Sequence, residues 1–333
     1  MFKKLDRKKI KFRPLAERKN KMTVSDVKTL NSSGPRLADT NIEFLAQAIV
    51  KAYKKNKKVI LAMGAHPLRR GNSRIIINLM ERGIISHVAT NGAVPIHDLE
   101  LALIGATMED VERYIKDGKF GNWEEASVFI NKAALYGSRH GLGLGESIGR
   151  AIHKGFASKF PYKDVSIFAA AYRLGIPITV HKGIGYDITD QHPSADFGAI
   201  GKTSGDDFLI FADSISKLQG GVFISMGAQA MGPEVYLKAL SMARNISIQK
   251  KKKINSFTTG VFDLIDLGNW RSEKDVVNYK ILKRLKDPRY YFRPLKTILV
   301  RTIRDGGKSY YVRGDFSDTI PVLYRRITEL LKE

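Results

Sequence analysis

The sequence has no cysteine among its 333 residues, which excludes disulfide bonds, thiol nucleophiles and cysteine-ligated zinc. It contains no apolar run of about 18 residues, so we expect no membrane-spanning helix. The N-terminus is basic but no apolar core follows it, so it does not resemble a secretory signal. With these absences, a cytoplasmic protein is the default expectation.

Acidic residues are scarce relative to basic ones, at 33 Asp and Glu against 56 Lys and Arg, and the net charge is +23. Residues 1–22 hold seven Lys and three Arg against one Asp and one Glu. Such a run is usually a solvated segment, and contact with nucleic acid is the sharper interpretation. No RNP-like aromatic motif or zinc-finger spacing accompanies it, so nucleic acid is not the favoured partner. We predict a basic extension over 1–33 and a single domain over 34–333.

Helical and extended patterns alternate along the first hundred residues. Apolar positions at helical spacing cover residues 39–55, and the run Val59–Met63 predicts the first strand. A helix over 73–82 and a strand over Ile84–Thr90 follow. This alternation predicts the α/β class, with a Rossmann-like, doubly wound, mostly parallel sheet and helices on both faces. Further helices are predicted over 107–116, 123–137, 145–156, 164–174, 206–218, 232–244 and 318–332, and further strands over 176–180, 221–227, 256–262 and 297–303.

The loop after the second predicted strand is the strongest candidate for a site. Asn91-Gly92 suits a sharp turn, and His97 and Asp98 then open an apolar helix. Ligands of open α/β sheets bind at such carboxyl ends of strands. The alternative is that the carboxylates of this segment only favour a helix N-terminus electrostatically.

Histidines and carboxylates recur on the loops that follow the predicted strands. If the strands are parallel neighbours, these side chains converge on one edge. They could then bind a divalent ion such as Zn or Mn and activate water, as in a metal-dependent hydrolase or lyase. They could equally serve as general acid and base around an organic ligand, because no pair has a tight metal-ligand spacing. The set considered for a metal is His66, His97, Asp98, His181, Asp190 and His192.

Glycines also follow the strands, at Gly64, Gly92, Gly183 and Gly227. Their backbone N–H groups could approach a phosphate, so together they favour a nucleotide or another phosphorylated ligand. The glycine-rich run at 141–145 resembles a phosphate loop but follows no convincing strand. A flexible connection is the favoured interpretation of that run.

The order of these pieces resembles the deoxyhypusine synthase family over roughly residues 40–245 and again over 297–328. The best-matching stretch is Val59–Leu99, which aligns without gaps to the family's first two strand–helix units. Within it, residues 65–71 replace a Ser-Asn-rich loop. Residues 90–99 replace a Thr-Thr-Ala-Gly-Gly segment that ends in an acidic pair.

Three further positions carry the resemblance. Ser166–Pro177 is similar to the family's helix that leads to an Ile-Pro strand, and Asp190 falls where the family keeps a polyamine-binding aspartate. Residues 313–315, Arg-Gly-Asp, resemble its Ala-Asp loop, which touches the cofactor. The resemblance implies a Rossmann-like, usually tetrameric enzyme that uses NAD to oxidise spermidine and passes the aminobutyl group through a lysine imine to a protein lysine.

The departures from the family fall at the chemistry. The family's catalytic lysine corresponds to Thr302, which cannot form an imine. Its polyamine-holding histidine and asparagine correspond to Val235 and Ala239, and Lys238 is a nearby lysine. The acidic run before the catalytic segment has no counterpart, because this region is basic. The basic residues there are Lys283, Arg284, Lys286, Arg289 and Arg293.

The first hypothesis is therefore a deoxyhypusine synthase-like, NAD-dependent enzyme that acts on an amine or polyamine-related small molecule without the lysine imine. His97 or His181 would transfer a proton, and the substrate would contact Asp187, Asp190 and His192. We expect a homo-oligomer, a tetramer by resemblance. The other hypotheses are the metal-dependent hydrolase or lyase and a non-catalytic RNA-binding protein that uses its basic tail. The predicted cofactor-binding residues are Gly64, Ala65, His66, Arg70, Asn91, Gly92, Ala93, Gly314 and Asp315.

Overall fold

The computed structural model describes residues 2–31, 39–156, 158–228, 230–268, 270 and 288–333. The predicted basic positions Lys283, Arg284 and Lys286, and residues 1, 32 and 33 of the predicted extension, lie outside these ranges. Within the residues described, no helix combines the length and the apolar character that crossing a bilayer requires.

The strands form a two-stranded sheet of order β1-β4 and a six-stranded sheet of order β5-β3-β2-β6-β7-β8. The pairings β2–β6, β6–β7 and β7–β8 are parallel, and helices flank the sheet, so the predicted α/β, Rossmann-like class is confirmed. The strands are β1 (Asn20–Thr23), β2 (Val59–Met63), β3 (His87–Asn91), β4 (Ala106–Glu109), β5 (Ile178–His181), β6 (Val222–Met226), β7 (Thr258–Asp263) and β8 (Lys308–Arg313).

The described helices follow the predicted apolar spacing in most places. The helices are α1 (Thr40–Lys54), α2 (His66–Arg69), α3 (Ser73–Glu81), α4 (Ala93–Ile104), α5 (Val111–Ile115), α6 (Glu124–His140), α7 (Leu144–Lys154), α8 (Ile167–Leu174), α9 (Phe197–Ser216), α10 (Met231–Gln249) and α11 (Phe316–Leu330).

Contacts divide the chain into two compact units. Unit 1 comprises residues 1–29, 68–80 and 90–210, and unit 2 comprises residues 30–67, 81–89 and 211–333. In unit 2 every residue of β2 and β6 is buried, as expected for the central strands of a covered parallel sheet. The ring of Phe223 stacks on that of Tyr236 at 4.1 Å between centroids, which packs α10 on β6.

The basic N-terminal segment packs within unit 1. β1 pairs antiparallel with β4, and Met22 and Val27 share an apolar cluster with Leu101. Leu15 is buried against Trp123 in a second cluster. These contacts anchor a segment whose composition alone suggests a solvated tail.

Two predicted elements are wrong. Residues 297–303, predicted as a strand, lie in a π-helical segment, Leu295–Arg301, and the turn after it. The apolar positions 295, 298 and 299 have helical spacing, which outweighs the β-branched preference. Residues 107–116 were predicted as one helix, but Asp110 separates β4 from α5 by capping α5, its carboxylate accepting a bond from Arg113 N at 3.1 Å.

Candidate functional site

The strand order reverses between β2 and β6, both in unit 2, and open α/β sheets have their ligand crevice outside the carboxyl ends of the strands at such a point. The chain places β3 on one side of β2 and later returns to place β6 on the other side. Met63 and Met226 are in register at the ends of these strands, and Gly64 N donates to Met226 O at 3.0 Å. Numbered by chain position, the six strands have the order 3-2-1-4-5-6, and sheets of this order bind dinucleotides at this reversal point.

Glycine backbone lines this crevice. Gly227, directly after β6, has φ +64°, and a Cβ added there would lie 3.1 Å from the Phe316 ring and 3.6 Å from His66 Cβ. Gly314, directly after β8, donates its N–H to Asp263 O at 3.0 Å. A side chain at Gly227 would fill the space through which a ligand phosphate could reach the backbone.

The residues of this edge fit a dinucleotide in part. Asp263 ends β7, is 8% exposed, and its Oδ1 accepts from Leu264 N at 2.8 Å. In dinucleotide sites a carboxylate about 20 residues after the glycine turn accepts from a ribose hydroxyl, and Asp263 offers a carboxylate at the same edge from a different strand. The phosphate fingerprint of such sites is missing, because the loop from Gly64 to Gly71 lacks its glycine spacing and α2 has only four residues.

The predicted cofactor residues are divided between the units. Gly64, Ala65, His66, Gly314 and Asp315 lie at the unit 2 edge just described, where Asp315 caps α11 by accepting from Ser317 N at 2.7 Å. Arg70, Asn91, Gly92 and Ala93 belong to unit 1. The buried Oδ1 of Asn91 has no hydrogen-bond partner among the described residues, which leaves an acceptor at the end of β3.

A buried lysine lies between two of the predicted substrate-binding carboxylates, in unit 1. Lys182 Nζ lies 2.5 Å from Asp190 Oδ1 and 3.1 Å from Asp187 Oδ2. All three side chains are at most 8% exposed. Sequence reasoning missed Lys182, although it directly follows the histidine that ends β5 and precedes the two aspartates by five and eight residues.

The loop that carries this cluster is held from three sides. Gly185 N donates to Asp190 Oδ2 at 2.7 Å, which closes the turn after Lys182. A Cβ on Gly92 would lie 1.9 Å from Asp187 Oδ2, so only glycine fits where α4 begins. The Arg7 guanidinium donates to the carbonyls of Asp190 and His192 at 3.0 Å each. The basic N-terminal segment therefore fixes the far end of the loop.

The charges of the cluster do not balance. Two carboxylates face one ammonium, and burial raises the pKa of Asp187 although Lys182 opposes the shift. His181, at the end of β5, accepts or donates a bond with Thr179 Oγ1 at 3.0 Å, and burial lowers the pKa of its imidazole to about 4. At neutral pH His181 is therefore uncharged, and its low pKa makes it a weak proton acceptor.

His97 and its neighbours belong to a buried polar network. The His97 Nδ1 is 2.8 Å from Thr107 Oγ1, which donates to Glu100 Oε2 at 2.5 Å. Arg18 pairs with both oxygens of Glu100, with both side chains 1% exposed. This network links the N-terminal segment to α4 and gives His97 a structural role as well as its predicted catalytic one.

Asp98 supports α8. It accepts bonds from Ser166 Oγ at 2.5 Å and Ile167 N at 2.7 Å, and burial raises its pKa to about 7. These bonds satisfy donors at the start of a helix. Asp98 therefore serves the N-terminus of α8 and not that of its own helix, which the alternative interpretation proposed.

His192 contacts the rim of a cavity. Its Nδ1 is 2.7 Å from Ser194 Oγ and its Nε2 is 3.1 Å from Glu124 Oε2. Glu124 lines a mostly apolar cavity of about 470 Å³ between α6 and α7, together with Phe129 and Arg150. The predicted substrate contact of His192 is thus next to a space that could hold a small molecule.

The metal set is not assembled. In the described part of the chain, no three histidine or acidic side chains are grouped closely enough to hold an ion. Asp98 is bonded to α8 and Asp190 to Lys182, and His66 belongs to the other unit from the remaining five residues. The six residues considered for a metal therefore do not form a metal-binding group in the described part of the chain.

The position of the family's catalytic lysine is closed. Thr302 is 2% exposed; its Oγ1 accepts from Tyr236 O–H at 3.2 Å and donates to Thr297 O at 2.9 Å. Lys238 does not replace the missing amine, because its side chain is 56% exposed on α10 and is paired with Glu234. The structure thus agrees with the absence of an imine lysine at this position.

The glycine-rich run at 141–145 packs around an acid. Gly145 N and Val180 N donate to Asp207 Oδ2 at 2.9 and 2.7 Å, and a Cβ on Gly143 would lie 1.9 Å from Asp207 Oδ1. A Cβ on Gly145 would lie 1.9 Å from Ile178 O. Gly143 and Gly145 are therefore tightly packed against protein atoms, which leaves no room for a phosphate beside them.

Comparison with known proteins supports the fold assignment. No protein-family model matches the chain, and no curated protein matches it significantly. The solved structures similar to it include apo ArgZ, an arginine dihydrolase from the ornithine-ammonia cycle in Cyanobacteria, at 14% identity and a TM-score of 0.50. That match covers 90% of this chain and 33% of ArgZ. It establishes the fold.

Two other similar structures have TM-scores of 0.49. One is a conserved putative LOR/SDH protein from Methanococcus maripaludis S2, at 14% identity, covering 90% of this chain and 73% of that protein. The other is AgrE in a ternary complex with ornithine and NAD+, at 12% identity, covering 89% of this chain and 34% of AgrE. The chain thus spans about a third of the length of ArgZ and AgrE. None of the three is named as a deoxyhypusine synthase.

Proposed function

We propose that this protein is an NAD-binding, Rossmann-like enzyme that acts on a small primary amine. The observation that carries the proposal is the reversal of strand order at β2 and β6, where the chain places glycines directly after both strands. Ligands of open α/β sheets bind at this point because loops from adjacent strands diverge there.

Residues of unit 2 would hold the dinucleotide. The backbone at Gly64 and Gly227 would approach the pyrophosphate, and the carboxylate of Asp263 would accept bonds from ribose hydroxyls. NAD held there would supply the hydride acceptor that oxidation of an amine requires. The residues fit this ligand without the usual glycine fingerprint, so the backbone contacts would come from several strand ends.

Residues of unit 1 would bind the amine. The contacts of Lys182 support this assignment, because its buried ammonium lies 3.1 Å from Asp187 Oδ2 and 2.5 Å from Asp190 Oδ1. A substrate amine would exchange with the Lys182 side chain at the same carboxylates. The carboxylate of Asp187, which already accepts from an ammonium and whose pKa is raised by burial, would take up the proton that the substrate must lose before oxidation.

The chain lacks the reactive lysine that deoxyhypusine synthesis requires. Group transfer through an imine requires a primary amine where this chain has the buried hydroxyl of Thr302. We therefore propose amine oxidation, or transfer without that imine, as the reaction class. The resemblance to the family supports the fold and the NAD assignment only.

The proposal is tested by NADH formation. Purified protein is mixed with NAD+ and a panel of primary amines, diamines and polyamines, and NADH absorbance is followed. We expect turnover with at least one amine and its loss in Asp190→Asn, with Asp206→Asn on the surface of α9 as the matched control. Absence of NADH with every amine, in a protein that binds NAD+, would rule out amine oxidation.

A further inference from the structure

A second cleft of about 790 Å³ lies in unit 2, at the amino ends of the parallel strands. Gly221, Thr258 and Lys308, at the starts of β6, β7 and β8, line it, and register pairs Thr258 with both Val222 and Lys308. The dinucleotide crevice lies at the other ends of the same strands, about 15 Å away for strands of this length. The two are therefore separate sites.

The cleft is strongly basic. Lys51, Lys55, Lys57 and Lys308 line it, and none of its described lining residues is acidic. None of these four lysines has an ion-pair partner among the described residues. Lys51 lies in the last turn of α1, where a cation is favoured by the helix dipole. That explanation does not extend to Lys308, which a different element brings to the same cleft.

Two aromatic rings stand in the same cleft. Phe44 on α1 stacks with Tyr310 on β8, with ring centroids 5.7 Å apart and an interplanar angle of 29°. Phe44 is 47% exposed, so its ring can receive another planar group. Aromatic faces beside unneutralised lysines are the combination that binds a nucleobase together with its phosphate.

We propose that this cleft binds a nucleotide, with the base stacked on Phe44 and the phosphate held by Lys51, Lys55 and Lys308. The ligand could be a free nucleotide or one residue of a single-stranded RNA, because both offer the same base and phosphate. The volume is within the range of small-molecule sites. This site would explain part of the large positive charge without invoking the N-terminal segment.

Titration calorimetry with uridine monophosphate and with a single-stranded uridine octamer tests the proposal. We chose uridine monophosphate because it is not a fragment of NAD. The variant K51Q/K55Q/K308Q should weaken binding of both by tenfold or more. The matched variant K250Q/K252Q/K253Q, which removes equal charge at the end of α10, should change affinity less than twofold. For the octamer, the first variant should reduce the slope of log affinity against log salt by about two.

The base contact is tested separately. Phe44→Leu keeps apolar bulk but removes the aromatic face, and should weaken uridine monophosphate by about fivefold or more. Ribose 5-phosphate, which lacks the base, should bind more weakly than the nucleotide and be unaffected by Phe44→Leu. If the octamer binds at least tenfold more tightly than uridine monophosphate, the ligand is single-stranded RNA. If the two bind with equal affinity, the ligand is a free nucleotide.

Three results would overturn the proposal. The first is no binding of either probe. The second is an equal loss of affinity in the two triple-lysine variants, which would mean that binding depends only on the overall charge of the protein. The third is equal binding of ribose 5-phosphate and uridine monophosphate, which would mean a simple phosphate site without base recognition.

Discussion

Lys182 donates to Asp190 in the interior of unit 1, where the resemblance to deoxyhypusine synthases places a substrate amine. The Lys182 ammonium thus binds the carboxylates that are predicted to bind the substrate amine. Lys182 is the cation paired with both Asp187 and Asp190. Removing its side chain therefore leaves two buried carboxylates without a paired cation.

Lys182→Met should therefore lower the free energy of unfolding by about 3–5 kcal/mol, the usual cost of breaking a buried ion pair from one side. The measurement is urea unfolding at neutral pH. The control is Lys202→Met, which breaks an exposed pair with Asp206 on α9 and should cost about 1 kcal/mol or less. Equal costs for the two variants would contradict the assigned burial of the Lys182 cluster.

A small ammonium should compensate for the lost side chain. In Lys182→Ala, adding propylammonium should raise the unfolding midpoint, because it binds the folded state at the vacated carboxylates. The wild type should show a smaller rise, because the ammonium must displace Lys182 there, and the triple variant K182A/D187N/D190N should show none. If the wild type responds equally, the ammonium binds elsewhere.

The buried pair of Arg18 and Glu100 should anchor the N-terminal segment. Arg18→Met should cost about 3–5 kcal/mol by the same reasoning, and R18M/E100Q should recover part of that loss. Arg326→Met, which breaks a pair with Glu43 that is about one-third exposed, is the comparison and should cost about 1 kcal/mol. A free tail would instead give no loss for Arg18→Met.

Asp207 should make stability depend on pH. Burial raises its pKa to about 8, so the folded protein keeps a proton that the unfolded chain releases above about pH 4. The free energy of unfolding should therefore fall as pH rises from about 4 to about 8, and then level off. Asp207→Asn should remove this fall, because an amide does not titrate in this range. The amide oxygen can still accept from Gly145 N and Val180 N, so the packing of the loop is kept.

Urea unfolding of wild type and Asp207→Asn across this pH range gives the measurement. The difference between the two proteins isolates Asp207 from Asp98, whose pKa is also raised by burial. A difference that stays constant with pH would mean that Asp207 does not titrate in this range.

Thr302 should act as a hydrogen-bond partner of Tyr236, not as a reactive group. Thr302→Val leaves the buried Tyr236 hydroxyl without this acceptor and should cost about 1–3 kcal/mol. In Y236F/T302V both partners are apolar, so the double variant should lose less than the sum of the single variants. Additive losses would mean that the hydroxyls do not interact.

The fold was largely readable from the sequence because most elements of the sheet and its helices have clear apolar periodicity. The strand at 59–63 and the helices at 39–55 and 73–82 appear within one or two residues of prediction. The missed β1, β4 and β8 are short or partly exposed, and β1 and β4 are stabilised by pairing between distant segments. The composition of a short segment does not indicate which distant segment it pairs with.

The candidate site was less predictable, because it depends on which side chains meet. The aspartates at 187 and 190 were identified, but the lysine that joins them was not, because one lysine after a strand is unremarkable in so basic a chain. The glycine-rich run at 141–145 looked like a ligand loop, although its partner is Asp207, more than sixty residues away. Strand order, which places the crevice at β2 and β6, also required the structure.

Calorimetric titration of NAD+ into the wild type, Gly227→Ala and Gly141→Ala tests the central claim most directly. Both glycines have similar positive φ angles, of +64° and +67°, but a Cβ at Gly141 points into open space. We predict that the wild type and Gly141→Ala bind NAD+ with the same affinity and that Gly227→Ala binds at least tenfold more weakly. No binding to the wild type, or equal affinities for all three, would contradict a dinucleotide site at the carboxyl ends of β2 and β6.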